Sequence, residues 1–254
     1  KGAVPGSVTT LRGGLVRAKP TIRREGPRFY EKMHARILDH IANQAALKRR
    51  LVGWASGVGK EANAFVQRNE PVPPGLQRRL NLATKLVLHK LQARVGGRLR
   101  YFISGGAPLS KEIEAFFWAA GINVLQGYGL TETSPVTNVN RPGAVRFGSV
   151  GKVVPRTECR IDTTACQASA DRGFPEGETC FRGPNIMQGY WRNEKATREV
   201  FDREGWFHTG DIGYVDGDGY LFITDRKKEI IGMSNGKKGP PQAIEGALKL
   251  QPHI

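Results

Sequence analysis

The stretch from Leu99 to Thr133 limits the fold of this chain more than any other. Leu99-Arg100-Tyr101-Phe102-Ile103-Ser104 has the length and apolar content of a short buried strand, and Gly105-Gly106-Ala107-Pro108 ends it. Ser110 then stands where an N-cap belongs, ahead of a helix predicted over Lys111–Ala120. Ile122-Asn123-Val124-Leu125 reads as a second strand, followed by Gln126-Gly127-Tyr128-Gly129-Leu130-Thr131-Glu132-Thr133. Strand, glycine turn, helix, strand and glycine turn make a βαβ unit, which requires a parallel sheet. Both glycine turns then fall at one sheet edge, the edge where open α/β sheets bind ligands.

The octapeptide 126–133 carries suitable chemistry for that edge. Gly127 and Gly129 allow a close approach of the backbone to a ligand, and Tyr128 offers a flat face. Thr131 and Thr133 offer hydroxyls, and Glu132 offers a hard oxygen suited to Mg²⁺. Together they read as a nucleotide-phosphate site. On these residues alone, a strand-to-helix turn capped by threonine stays open as the alternative.

Further segments stand in line with this one. Gly205-Trp206-Phe207-His208-Thr209-Gly210-Asp211 reads as a glycine-bounded turn ending in a carboxylate, and by itself Asp211 could simply cap that turn. Tyr220–Thr224 reads as a strand, with Asp225-Arg226-Lys227-Lys228-Glu229-Ile230-Ile231 after it, and Gly189-Tyr190 leads toward Thr197 in a short helix. In the order and rough spacing of these motifs, the chain resembles the adenylate-forming enzymes. Lys19-Pro20-Thr21-Ile22, followed by Gly26-Pro27-Arg28-Phe29-Tyr30-Glu31-Lys32, is similar to a segment of the long-chain fatty acyl-CoA synthetases of that superfamily. The resemblance spans the chain and is strongest from 99 to 254.

The resemblance implies an α/β fold: part of the family's large domain, with a parallel sheet, helices and a small β-barrel, and the start of a C-terminal lid. On this reading residues 1–147 form the α/β part with a helical insertion, 148–224 the barrel-like part, and 225–254 the hinge and first stretch of the lid. Gly105, Gly106 and Ala107 would line the adenine and acyl pocket, the ring of Tyr128 would pack on adenine, and Gln126 and Gly129 would flank it. Asp211 would accept the ribose hydroxyls, Arg226 would contact ribose or phosphate, and Asp225 would be the hinge. Thr131 touching phosphate and Glu132 holding Mg²⁺ would be the catalytic pair.

The implied reaction joins a long-chain fatty acid to AMP from MgATP and passes the acyl group to coenzyme A. The family's phosphate loop is expected before Lys1 and its lid lysine after Ile254, so the 254 residues are expected to be an internal fragment without synthetase activity. A fatty acyl-AMP ligase, or another carboxylate-activating member of the superfamily, stays open as an alternative.

Charge adds a second constraint. The net charge is +16, and all of it sits at one end: residues 1–100 hold 21 Lys and Arg against 5 Asp and Glu, whereas residues 101–254 hold 18 of each. Such asymmetry suits an anionic membrane surface or nucleic acid. The basic part has few aromatic residues for base stacking, so a nucleic-acid module is the weaker alternative and none is expected as a partner. A cytoplasmic setting, peripheral to a membrane, is expected.

Cys159, Cys166 and Cys180 have neither CxxC spacing nor an evident histidine partner, which suggests free thiols in a reducing compartment. Gly53–Lys60 fails as a phosphate loop, because Trp54 and Glu61 stand where glycine and Ser/Thr are needed. One helix is predicted from about Gly26 to Leu51, another over 76–95, a strand end and loop over 1–19, and a lid helix over Gln242–Leu250. Asp216-Gly217-Asp218-Gly219 reads as a hairpin turn.

Overall fold

The computed structural model describes residues 17–165 and 173–227, and the main chain of 231–232 and 238–239. The readings of 1–16, Cys166 and the helix 242–250, and with them most of the expected lid, lie outside the described residues. The chain forms two compact units, one of residues 1–126 with 141–148, the other of residues 127–140 with 149–254.

In the first unit, β1 (Ile22–Glu25), β2 (Tyr101–Ser104) and the first half of β3 (Val124–Tyr128) run parallel, with Ile22 opposite Tyr101 and Phe102 opposite Val124. The βαβ reading holds: Ser110 Oγ accepts from Ile113 N at 3.3 Å and opens the helix Lys111–Ala119 between β2 and β3. Helix α1 (Pro27–Ala42) starts on Pro27, whose fixed φ suits a first helical turn. It buries Tyr30 and Ile37 with Phe102, Ile113, Phe117, Ile122 and Val124. The Tyr30 ring meets Phe102 and Phe117 edge-on at 5.5 and 6.0 Å, and its hydroxyl donates to Ile103 O at 3.1 Å, so a polar tip is buried without loss.

The single helix expected through Leu51 is two. It breaks at Asn43, whose side chain donates to Asp39 O at 3.0 Å, and α2 (Ala46–Arg68) restarts after it. Asparagine competes with the helix for backbone partners, which marks the break. The failed phosphate-loop stretch is helical and lies within α2. The second predicted helix is observed as α3 (Pro74–Ala83), a π-helical turn (Thr84–Leu88) and α4 (His89–Arg94). With Leu76, Ala83, Val87 and Leu88, it packs on Ala55, Val58 and Ala62 of α2. The helix Lys111–Ala119 between β2 and β3 is α5.

In the second unit, the far half of β3 turns to antiparallel pairing, Gly127 opposite Val139 in β4 (Asn138–Val139), and β4 pairs with β5 (Lys152–Val153). The part expected as a small barrel is a four-stranded antiparallel meander of β6 (Glu158–Asp162), β7 (Gly177–Arg182), β8 (Phe207–Val215) and β9 (Leu221–Arg226). Val150, Phe181 and Leu221 fill its core. The short helix after Gly189-Tyr190 is α6 (Glu194–Val200). The hairpin turn at Asp216 is present: Asp216 Oδ1 accepts from Asp218 N and Tyr220 N at 3.0 and 2.9 Å. The glycine-bounded turn expected before Asp211 is instead part of a strand with an irregularity: β8 runs through Phe207–Val215, and Gly210 takes φ +74° where the pairing with β7 shifts register. No helix among the described residues is long and apolar enough to cross a membrane.

Gly59 of α2 lies against the end of α5, where a β-carbon would stand 2.1 Å from Ala119 O. Gly59→Ala should therefore destabilise by about 1–3 kcal/mol through overpacking. Gly57→Ala, with no atom within 4 Å of the added carbon, should be neutral or stabilise by about 0.5–1 kcal/mol. Urea unfolding of both variants checks the pair; equal effects would contradict this packing.

Candidate nucleotide site

The sequence-predicted residues divide between the two units. In the first, Ser104 ends β2 and the turn that follows exposes Gly106, Ala107 and Pro108, with Gly105 half-buried. Gly106 has φ +88°, a conformation that side chains rarely adopt, so glycine is required by the turn itself. Gln126 is 4% exposed and bonded at both ends of its amide: its Oε1 accepts from Leu109 N at 3.1 Å, and its Nε2 donates to Glu114 Oε2 at 2.7 Å. Gln126 thus holds the end of the glycine turn.

Sequence reasoning missed Glu114. It lies on the buried face of α5 and is 0% exposed. Its Oε2 also accepts from Gly148 N at 2.8 Å, while its Oε1 has no partner. Burial pushes its carboxyl up to about 8, against the opposing pull of the bonds from Gly148 and Gln126. A proton on Oε1 leaves Oε2 as acceptor for both donors. The signal was available: a carboxylate beside Ile113 and three residues before Phe117, on an otherwise apolar helix face.

In the second unit, three predicted residues meet. Tyr128 Oη donates to Asp211 Oδ2 at 2.5 Å, and Arg226 Nε donates to Asp211 Oδ1 at 2.9 Å. Asp211 and Arg226 sit directly opposite in β8 and β9, so strand register brings them together. Asp211 is buried, and Arg226 keeps half of its side chain in solvent. Burial, and then the Asp211 charge, raise the Tyr128 hydroxyl, so it remains a donor. Each Asp211 oxygen keeps a lone pair beyond its present bond.

Thr131 and Glu132 lie in a 3₁₀ turn (Thr131–Thr133) directly after β3. Thr131 is exposed. Glu132 is half-buried and positioned from two sides: Tyr190 Oη donates to its Oε1 at 3.0 Å, and Met187 N donates to its carbonyl at 2.8 Å. Tyr190 had no role in the sequence reading. A fixed carboxylate next to an exposed threonine hydroxyl is the hard-oxygen set that Mg²⁺ takes. The chain itself requires glycine at 129, where a β-carbon would lie 1.7 Å from Pro135 O; at 127 a β-carbon would make only ordinary contact with Asn138 O and Val139. Thr133 is buried, its Oγ1 bonded to Leu130 and Pro135.

Asp225 is buried in β9 opposite Ile212 and accepts from Arg226 N at 2.8 Å. Lys227 Nζ donates to Glu178 Oε2 at 2.9 Å, and Lys227 N to Gly210 O at 2.8 Å. Burial opposes ionisation of Glu178, but Lys227, His208 and the Gly210 N–H together hold its carboxyl below the usual range. Cys180 does have a histidine partner, His208 Nδ1 at 3.4 Å across the β7–β8 pair. Burial pushes the Cys180 thiol up to about 12 and keeps it protonated.

Residues 20–191 match the model of the AMP-binding enzyme family. The chain belongs to that family. It is 40% identical over 238 residues to a long-chain-fatty-acid–CoA ligase of Mycobacterium bovis, covering 93% of this chain and 37% of that protein. It is 36% identical over 247 residues to the peroxisomal long chain acyl-CoA synthetase 6 of Arabidopsis thaliana, covering 96% of this chain and 34% of the relative. The chain thus spans little more than a third of the length of these relatives. The A-PCP didomain of a carboxylic acid reductase from Segniliparus rugosus, solved with AMP, superposes with a TM-score of 0.67 at 22% identity, over 99% of this chain and 30% of that one. It shares the adenylate-forming fold.

The Glu114 carboxyl gives a pH prediction. Between about pH 4.5 and 8 the unfolded chain loses this proton and the folded chain keeps it, so folding stability falls as pH rises through that window. Glu114→Gln should flatten the slope there, read as urea midpoints at a series of pH values. An unchanged slope would place the buried proton elsewhere.

Proposed function

We propose that the protein containing this chain is an AMP-forming ligase, which activates a long-chain fatty acid with MgATP and transfers the acyl group to coenzyme A. The observation that carries the reading is the meeting of Tyr128, Asp211 and Arg226, drawn from three separate segments into one half-buried cluster of ring, carboxylate and guanidinium. Family membership, and the names of relatives that are 36–40% identical, support the substrate class.

In this reading the ring of Tyr128 faces adenine and the spare lone pairs of Asp211 accept the ribose hydroxyls. Arg226 neutralises Asp211 and, with its exposed portion, reaches ribose or phosphate. The turn Gly105-Gly106-Ala107 lines the adenine and acyl pocket, its end fixed by Gln126. Thr131 donates its hydroxyl to the α-phosphate, and Tyr190 keeps Glu132 oriented as the Mg²⁺ ligand. The ion when bound supplies charge neutralisation at the phosphates. The fatty carboxylate attacks the α-phosphorus, breaking the bond to pyrophosphate; the thiol of coenzyme A then takes the acyl carbon and releases AMP. Preorganised charge carries both steps, and no protein nucleophile is invoked. Asp225 is proposed as the hinge of a lid formed by the residues after it, and peripheral contact with an anionic membrane surface as the role of the basic helices.

The test measures AMP and pyrophosphate release by the full-length protein over a series of carboxylates, with and without coenzyme A. AMP release that needs both coenzyme A and a long-chain acid is expected. Pyrophosphate release indifferent to coenzyme A would assign a fatty acyl-AMP ligase. Glu132→Gln should lower kcat about 10²-fold or more. Asp211→Asn should raise KM for ATP about tenfold or more, as the loss of charged hydrogen bonds would. Tyr190→Phe should lower kcat less than Glu132→Gln, because it removes only the orienting bond.

A further inference from the structure

The tip formed by the end of α1 and the start of α2 is built unlike the rest of its unit. Every residue from Ala45 to Leu51 is exposed, so nearly two turns of α2 present all of their sides to solvent. Leu47 is 80% exposed and Leu51 39%, and four residues apart they share one helix face. Lys48, Arg49 and Arg50 stand between them. Leu38, 46% exposed, adds a third apolar group from the last turns of α1. Between Lys32 and Lys60 the sequence holds six Lys and Arg and one acid, Asp39.

Helix formation does not account for this composition. The first turn of α2 holds no acidic residue, and its N-cap, Ala45, makes no side-chain cap. Three cations at the positive end of the helix dipole oppose helix formation. Arg49 is partly accounted for, because its Nη1 donates to Ala42 O at 3.2 Å and braces the turn. Among the described residues, Lys48 and Arg50 have no acidic partner. Exposed leucines in register with unneutralised cations lower stability and solubility together, unless a surface that is both apolar and anionic receives them. A second leucine pair, Leu82 and Leu86 at 49% and 43% exposure, follows Arg78 and Arg79 and flanks Lys85 on the helical run that packs against α2 through the second apolar cluster.

We propose that the α1–α2 tip is the docking element for a bilayer carrying anionic phospholipid, with Leu47 and Leu51 entering the acyl boundary and Lys48 and Arg50 meeting the headgroup phosphates. This deepens the reading of peripheral membrane contact and does not depend on the ligase reading. Amphipathic helices with basic flanks bind such surfaces by buried apolar area and charge attraction in concert. The leucines favour lipid over nucleic acid, which would use the cations and leave the apolar face in water.

The experiment is co-sedimentation of the full-length protein with vesicles of phosphatidylcholine alone and with 30% phosphatidylserine by composition, roughly the anionic content of a charged leaflet. Binding to the anionic vesicles is expected, weakened in high salt. Lys48→Glu with Arg50→Glu should reduce it at least 25-fold, at roughly fivefold per cation. Leu47→Ser with Leu51→Ser should reduce it about tenfold or more. Both double variants alter exposed side chains and should stay folded, Lys48→Glu with Arg50→Glu melting at or above the parent because acids suit a helix N-terminus, whereas Leu82→Ser with Leu86→Ser should have the smaller effect on binding. Binding that persists unchanged in the tip variants overturns this site and leaves peripheral contact standing, while failure to bind either vesicle overturns both. Self-association without vesicles that the leucine variants abolish would assign the tip to a second copy, and retention on duplex DNA that survives them would assign it to nucleic acid; either result overturns the lipid assignment. AMP release bears on neither.

Discussion

The buried Glu114 carboxyl is the group the first unit can least tolerate unpaired. A carboxyl at zero exposure is costly unless it is neutral and bonded. Here burial keeps its proton on, and Gln126 and Gly148 both donate to Oε2, leaving Oε1 as the one unbonded oxygen. Those two partners belong to segments that must be placed accurately, the last residue of β3's parallel half and the segment 141–148. Gln126 in turn takes Leu109 N, so one buried acid sets the end of the glycine turn, the strand beside it and the end of that segment. The aromatic cluster around Tyr30 and the cluster between α2 and α3 bury apolar surface, but apolar contact alone does not fix register; directional bonds do.

The second unit solves a related problem at its surface-facing edge. Asp211 sits mid-strand, buried, and would be expensive alone. Arg226 opposite it neutralises the charge, and Tyr128 arrives from the far half of β3 to take the other oxygen. The three groups thereby define each other's positions before any ligand is present. That is the preorganisation electrostatic catalysis and recognition both need.

Much of this was legible in the sequence. The βαβ unit was written in the Gly-Gly-Ala turn, the Ser110 cap and the apolar strands, because each is a local instruction with its own geometry. The Asp216 hairpin was legible in the same way, whereas the strands around it, expected as a small barrel, form a four-stranded meander. What was missed depends on contacts between distant residues. Gly210 beside Asp211 looked like turn chemistry; its φ of +74° is indeed turn-like, but it serves an irregularity inside β8, where pairing with β7 shifts register between Glu178 and Cys180. The need for glycine at 129 comes from the carbonyl of Pro135, six residues on, and no ligand has to be invoked for it. Tyr190 reaches Glu132 across 58 positions, a meeting that no periodicity encodes. The break between α1 and α2 rests on one asparagine amide, weak evidence until its acceptor at Asp39 is seen.

The clasp at Lys227 sets what a hinge at Asp225 would have to break. Asp225 and Arg226 are paired along β8, and Lys227 is fastened twice, by its main chain to Gly210 and by its ammonium to Glu178. A pivot inside this run would have to unzip a strand end and part an ion pair in one motion. The proposed hinge at Asp225 would thus be latched, and anything that draws Glu178 away from Lys227 would release it.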